Sequence, residues 1–348
     1  MTAAGAATAG LLDPAAEARL TLWLATTLDR TELRIDGAAK LGGGAIQENW
    51  RLDVAWPGGA RSLVLRTEAP SGVAVSWGKA EEYAILEVAH AAGLRVPEPI
   101  GLCDDPAVLG RPFSVMAHCS GEARGHKLVR DPAIDAFGPA VAARLAEELA
   151  KLHRIEPPVP GLDFLPLPEG NPALARVAEY RAHLAELGIA NPVLALALAW
   201  LEAHAPTCPR LALIHADCRT GNYLVDDGDL VAILDWEFAA YGDPLEDLGW
   251  FLGRYWRFGR WAHEAGGLAG RDVFLDAYRR AGGFVAGDRA VSYWQLMGTV
   301  RWAVIALQQA ARHYGDGEAS LDLALTGAVL PQLEWDVLDL LEALDGAG

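Results

Sequence analysis

The sequence predicts an α+β fold in two lobes, a small antiparallel β-rich N-lobe followed by a larger, mostly helical C-lobe. Three observations predict it. Short strand-like segments separated by turn signals crowd the stretch from about residue 41 to residue 116. Long segments of helical periodicity dominate from about Gly121 onward, and a single hairpin with polar residues at its ends interrupts those helices. The boundaries read as 1–29 for a tail and a helix, 30–119 for the β-rich lobe and 120–348 for the helical lobe. A chain of 348 residues that is 52% hydrophobic and 22% charged can bury a core of that size.

The elements follow in order. The first dozen residues are small and of low complexity, and an amphipathic helix spans Asp13 to Leu28. Leu41-Gly42-Gly43-Gly44 leads into a strand at Asn49–Val54, a turn at Pro57-Gly58-Gly59, and a strand at Ser62–Arg66 that ends on a cation. Lys79 to Ala92 has helical periodicity and carries Glu81, Glu82 and Glu87, until Gly93 and the VPEP segment stop it. Strands around Ile100–Leu102 and Phe113–Met116 complete the first lobe. Helices are expected at Ala140–His153, Ala173–Leu187, Pro192–Ala205 and from Pro244 to the end. Asp243-Pro244-Leu245-Glu246 reads as a helix start, with Asp at the N-cap, Pro at N1 and Glu at N3.

The stretch LIHADCRTGNYLVDDGDLVAILDWE, Leu213 to Glu237, carries the chemistry. His215-x-Asp217, followed five residues later by Asn222, has the spacing of a phosphoryl-transfer catalytic loop. Asn222 and Asp235 flank two apolar runs, Tyr223–Val225 and Leu230–Leu234, with the turn signal Asp227-Gly228-Asp229 between them. With Gly228-Asp229 as the central turn residues, Asn222 and Asp235 are equidistant from the turn and face each other with Cα atoms roughly 5 Å apart. An amide oxygen and a carboxylate so placed suit Mg²⁺, which keeps its other positions for water and phosphate. Asp217, just before the hairpin, is then placed to accept a proton from a hydroxyl. The plainer reading is a hairpin with turn-forming polar ends and a buried histidine.

A β-rich lobe, then a helical lobe holding the catalytic loop, is a kinase-like architecture. The chain resembles the aminoglycoside phosphotransferase and choline kinase superfamily, relatives of protein kinases, over roughly residues 30 to 340. The stretch VLRTEAP…EEYAILEVAHAAGLRVPEPIGLCDDPAVLGRPFSVMAHCSG is similar to the branch containing the kinase-like domains attached to acyl-CoA dehydrogenases. The resemblance implies a protein-kinase-like fold and an ATP- and Mg²⁺-dependent transfer of phosphate to an alcohol, with the choice between ATP and GTP left open. Asp217 is then the catalytic base, and Asn222 and Asp235 the metal ligands. His215 and Asp247 brace the loop. Arg66 stands where kinases generally use Lys to grip phosphates, with Glu82, or else Glu81, as its helix partner; Arg keeps the charge but presents a planar fork. Gly42, Gly43 and Gly44 let backbone amides approach phosphates, although the run is neither a P-loop nor a G-x-G-x-x-G. Met116 to Cys119 takes the place of the interlobe hinge, with the backbone of Ala117 and Cys119 recognising adenine.

The acceptor pocket is expected in the aromatic, arginine-bearing segment after Asp243, with Trp250, Arg254, Tyr255 and Arg257 as its lining. Such a pocket favours an apolar or anionic acceptor, such as a hydroxyacyl-CoA, over a polyamine. An antibiotic-modifying kinase and a non-catalytic nucleotide-binding pseudokinase are the alternatives. The complete Asp217/Asn222/Asp235 set disfavours the latter, and protein kinase activity is disfavoured because no activation-loop segment with A-P-E follows Asp235. A net charge of −17 speaks against nonspecific nucleic-acid binding. No apolar run of about 18 residues suggests a membrane span, and no signal peptide is read at the start. Cys103, Cys119, Cys208 and Cys218 show no metal-site spacing and suit reduced thiols in the cytoplasm. The oligomeric state is not legible.

Overall fold

The long β2–β3 hairpin forms the spine of the β-rich part, because two runs of alternating apolar residues meet at Pro57-Gly58, where Gly58 supplies φ +90°. The computed structural model describes residues 13–41, 47–68, 76–315 and 320–346, so the Gly42–Gly44 run lies outside the described residues. In chain order the first part contains α1 (Pro14–Thr27), β1 (Arg34–Lys40), β2 (Gln47–Trp56), β3 (Gly59–Glu68), α2 (Lys79–Ala91), β4 (Pro99–Cys103), α3 (Pro106–Leu109) and β5 (Phe113–Ala117). The five strands form one antiparallel sheet in the order β1-β2-β3-β5-β4.

Alternation along the strands decides what each face does. Leu52 and Val54 of β2, Leu63 and Leu65 of β3, and Phe113 and Val115 of β5 are buried together against Leu20 and Leu24 of α1. Burying side chains of this size contributes about 1.5–3 kcal/mol each. The intervening position on β3, Arg66, therefore projects to the opposite face, where α2 supplies its partner. Asp13 caps α1 by accepting the Ala16 amide at 2.7 Å, with Pro14 in the first turn.

The helical part contains α4 (Gly125–Leu128), α5 (Ile134–Leu152), α6 (Pro172–Glu186), α7 (Pro192–Ala203), β6 (Ala212–Ile214), β7 (Tyr223–Asp226), β8 (Asp229–Ile233) and β9 (Ala240–Gly242). It continues with α8 (Leu245–Phe251), a 3₁₀ turn at Arg254–Trp256, α9 (Arg271–Arg280), α10 (Asp288–Gly315), α11 (Leu321–Ala328) and α12 (Leu330–Gly346). Val141, Leu145, Leu149 and Leu152 of α5 repeat at three- and four-residue intervals and are fully buried. α8 docks directly on α10: a Cβ on Gly249 would lie 2.3 Å from the Trp294 carbonyl carbon, so only glycine permits the approach. Among the described residues no helix is long and apolar enough to cross a membrane.

The chain divides into two compact units, residues 1–121 with Val231–Phe238, and residues 122–230 with Ala239–Gly348. Val231–Phe238 thus groups with the β-rich unit rather than with its sequence neighbours in the 120–348 segment. Its ties explain why: the Ile233 amide donates to the Arg95 carbonyl at 2.8 Å, and the Trp77 amide to the Glu237 carbonyl at 2.9 Å. α1, expected within a separate 1–29 segment, likewise belongs to the core of that unit.

Three features differ from the sequence expectation. β1 has only Ala38 buried among its seven residues and lacks an apolar alternation to announce it. β6 and β9 are three residues each and exist through long-range pairing, Leu213 with Tyr241 and Ile214 with Ala240. The hairpin turn is formed by Asp227 and Gly228, with φ +47° and +74°, rather than by Gly228-Asp229. Two consecutive positive φ values are what a type I′ turn requires, and Asp-Gly meets that requirement. Asn222 precedes the turn by five residues and Asp235 follows it by seven, so the expected equidistance fails, and with it the basis for placing the two directly opposite.

Candidate active site

The loop after β6 is fixed from below by a buried carboxylate. Asp247 accepts the His215 amide at 2.8 Å on Oδ2 and the Ala216 amide at 2.7 Å on Oδ1. His153 Nε2 lies 3.0 Å from the same Oδ2, and His153 Nδ1 lies 2.8 Å from the Tyr278 hydroxyl. Burial alone would push the Asp247 carboxyl up, but His153 and the loop donors outweigh it and hold it below its ordinary value. Ala216 adopts φ +59°, a costly conformation for a residue with a Cβ. It is pinned on both sides, by Asp247 at its amide and by Arg301 at its carbonyl.

This turn presents Asp217, which is 8% exposed. The Asp217 amide donates to His215 Nδ1 at 3.2 Å, so His215 serves the loop's conformation. The Asp217 carboxylate collects three side-chain donors: Trp250 Nε1 at 2.9 Å on Oδ1, with Asn222 Nδ2 at 2.6 Å and Arg219 Nε at 3.4 Å on Oδ2. Asn222 Nδ2 also donates to the Asp217 carbonyl at 3.0 Å. With its nitrogen facing two oxygens, the Asn222 amide has a fixed orientation.

In the β-rich unit the charged side chains form a chain of shared partners. Arg66 Nη1 lies 2.6 Å from Glu82 Oε1, and Arg66 Nη2 donates to Asp235 Oδ1 at 3.0 Å. Lys79 Nζ donates to the other Glu82 oxygen at 2.6 Å. The helix partner of Arg66 is thus Glu82 and not Glu81, and Glu82 serves two cations. Burial pushes the Lys79 ammonium down, with Glu82 opposing. Burial also disfavours the Arg66 charge, but Glu82 and Asp235 reverse the balance and raise it. Glu237 is pushed up to about 7, first by burial and then by the Asp235 and Glu82 carboxylates. Asp235 itself takes φ +69°, which Asp tolerates better than most residues. At the edge of β5, the Ala117 amide donates to the Glu98 carbonyl at 2.8 Å. Cys119 is half-buried, and burial pushes its thiol up.

The expected acceptor residues divide into two kinds. Trp250 is 2% exposed and Tyr255 half-buried, and both belong to a ring cluster with Trp256 and Trp302, at centroid distances of 5.2 Å for Trp250–Trp256 and 5.4 Å for Trp250–Tyr255. Arg254 instead pairs with Asp336 at 2.9 Å. Arg257 spans the Leu252 and Trp261 carbonyls and pairs with Glu264 at 3.2 Å. Both arginine charges are matched within the fold, so the anionic preference expected from them loses its basis. The cations that lie on this ring cluster are Arg219, 4.6 Å over Trp256, and Arg301, 4.5 Å over Trp250.

Residues 37–284 match the phosphotransferase enzyme family. The chain belongs to that family. Acyl-CoA dehydrogenase family member 10 of Mus musculus is 29% identical over 202 residues, which cover 55% of this chain and 18% of the relative. The chain therefore spans under a fifth of that relative's length. The 4-hydroxytryptamine kinase of Psilocybe cyanescens is 25% identical over 271 residues, 70% of this chain and 74% of the relative. Among solved structures, a Ralstonia eutropha protein provisionally assigned as an aminoglycoside phosphotransferase superposes with a TM-score of 0.74 at 19% identity. The superposition covers 93% of this chain and 97% of that one. The resemblance to the phosphotransferase superfamily, including its acyl-CoA dehydrogenase branch, is borne out, as is the α+β, protein-kinase-like fold.

Within this member of the phosphotransferase family, sequence reasoning passed over Lys79, His153, Arg219 and Arg301. Lys79 had a local signal, since it lies three residues before Glu82 on α2 and the pair shares a helix face. Arg219 lies inside the H-x-D…N loop and could have been singled out there. His153 and Arg301 reach the loop from distant helices, and no local pattern marks them.

Proposed function

We propose that this member of the family is a nucleotide- and Mg²⁺-dependent kinase that phosphorylates the hydroxyl of a small molecule. The observation that carries the reading is the Asp217 carboxylate, buried, aimed by three donors and seated on a loop braced by Asp247. A carboxylate so held serves as the acceptor of a hydroxyl proton. As the substrate oxygen bonds to phosphorus, its proton passes to Asp217, and the bond from phosphorus to the bridging oxygen breaks to release the nucleoside diphosphate.

The other roles follow from donor chemistry. Asn222 and Asp235 are proposed as the Mg²⁺ ligands from their places in the sequence motif, because an amide oxygen and a carboxylate are the donors that ion takes. When bound, the ion neutralises charge on the transferring and leaving phosphates. Arg66, held by Glu82, grips the phosphates with the planar fork that distinguishes it from lysine. The purine edge is read by the Ala117 carbonyl and the Cys119 amide, because the Ala117 amide is already given to Glu98. ATP is the proposed donor, with GTP as the other purine nucleotide to test.

For the acceptor, the acyl-CoA dehydrogenase relatives make a hydroxyacyl-CoA the first to try. The test is Mg²⁺-dependent ADP release with pooled hydroxylated metabolites, acyl-CoAs, aminoglycosides and macrolides. Asp217→Asn is expected to lose roughly 10²–10⁴-fold in turnover while binding nucleotide like the parent. Release confined to the antibiotic pool would point to an antibiotic-modifying kinase. Nucleotide binding without transfer to any acceptor would point to a non-catalytic protein.

A further inference from the structure

Two of the donors to Asp217, Asn222 and Arg219, come from the catalytic loop itself. The third, the indole N–H of Trp250, comes from α8, and it holds the oxygen the other two side chains leave. The position of that indole is set by α10. The Arg301 guanidinium lies 4.5 Å over the Trp250 ring and donates to the carbonyl of Ala216, the residue before the base. One turn before Arg301, a Cβ on Gly298 would lie 3.2 Å from Trp250 Cε3 and 3.0 Å from the Tyr255 hydroxyl, so the ring packs almost on the α10 backbone. Gly249, the residue before Trp250, is closer still to α10, where its Cβ would lie 2.3 Å from the Trp294 carbonyl carbon. Trp256 and Trp302 close the remaining sides of the ring with edge contacts at 5.2 Å and 6.3 Å. An indole fixed on every side can offer its N–H in one direction only, and that direction is Asp217 Oδ1.

We propose that Trp250 is a positioning residue for the catalytic base, aiming Asp217 Oδ1 through its indole N–H, and that Arg301 acts through Trp250 to hold that aim. The proposal rests on Asp217 being the base. The competing explanation is that a buried indole N–H needs some acceptor and Asp217 supplies one, with no consequence for the reaction. The two separate because a merely satisfied indole predicts a loss of stability when it is removed, whereas a positioning indole predicts a loss in kcat that stability does not track.

The experiment uses the full chain and whichever acceptor the pooled screen yields. Trp250→Phe keeps an aromatic ring and removes the donor. It is expected to lower kcat roughly 10- to 100-fold, the worth of one hydrogen bond to a charged group, with the nucleotide KM within about twofold of the parent. Arg301→Gln, which removes the stacked cation, is expected to lower kcat in the same direction and by less. Unchanged kcat in Trp250→Phe overturns the proposal, while absence of turnover in the parent overturns the kinase reading instead.

A second measurement needs no turnover and no Trp250 variant. In ¹⁵N-indole spectra of the 12 tryptophans, the Trp250 Nε1–H resonance, assigned through bonds, is expected to shift upfield and exchange faster with solvent in Asp217→Asn. An indole resonance that Asp217→Asn leaves in place shows that the contact is absent, and the proposal falls whatever the kinetics show.

Discussion

Glu82 shows how a single side chain can carry a site's electrostatics. It binds Arg66 through one oxygen and Lys79 through the other, both at 2.6 Å, in a setting where Lys79 is 2% exposed. Losing either cation leaves Glu82 with one partner, so Arg66→Met and Lys79→Met are each expected to cost nearer 2 kcal/mol than the roughly 3–5 kcal/mol of an orphaned buried charge. The double variant strands Glu82, and its loss should exceed the sum of the singles by at least about 1 kcal/mol. Urea unfolding of the four proteins checks this, and additive losses would show that Glu82 does not couple the two cations. The sequence revealed Arg66 by its place at the end of a strand and left Glu81 and Glu82 open. Helical phase settles the choice only once the direction of β3 relative to α2 is known, which is tertiary information.

Elements carry two further predictions. The hairpin turn needs positive φ at both Asp227 and Gly228, and a Cβ at Gly228 would also stand 3.0 Å from Phe137 Cβ. Gly228→Ala should therefore destabilise by about 1–2 kcal/mol, measured by thermal or chemical unfolding; a neutral substitution would mean the turn adopts another type. At the start of α8, Asp243 accepts the Leu245 amide at 2.9 Å and the Trp294 indole at 3.2 Å. Burial nevertheless raises its carboxyl to about 6 against those bonds. A raised folded value means the native state keeps a proton that the unfolded chain has released. Stability from this group is thus full below about pH 4 and lost as the pH rises to about 6. Comparing unfolding of the parent and Asp243→Asn across that range, the parent should lose ground as pH rises, and an opposite slope would contradict the shift. The hairpin itself was legible, because apolar runs around D-D-G-D leave little choice, but its register was placed one residue late. The Asp-Gly preference of type I′ turns would have corrected it. The strands β1, β6 and β9 had no comparable local mark, being short or mostly exposed and held by distant partners.

For the molecule as a whole, the order of β-rich and helical segments and the spacing of Asp217, Asn222 and Asp235 could be read directly, and the solved structures agree with the fold which that order implies. The acceptor was the least legible part, for a physical reason. Composition in the 250–261 segment suggested a basic pocket, yet Arg254 and Arg257 spend their charge on Asp336, Glu264 and backbone carbonyls. Which cation meets substrate depends on pairing across the fold, and pairing has no local signature. The net charge of −17 acts through long-range steering, and raising ionic strength should therefore change turnover of a charged acceptor through KM while leaving kcat nearly constant. The most direct measurement is transfer of labelled γ-phosphate from ATP, in the presence of Mg²⁺, to pooled hydroxylated small molecules, with Asp217→Asn run beside the parent. A labelled product that forms with the parent and fails to form with Asp217→Asn, while both bind nucleotide alike, is the expected result. Label transferred equally well by Asp217→Asn would contradict the assignment of Asp217 as the base.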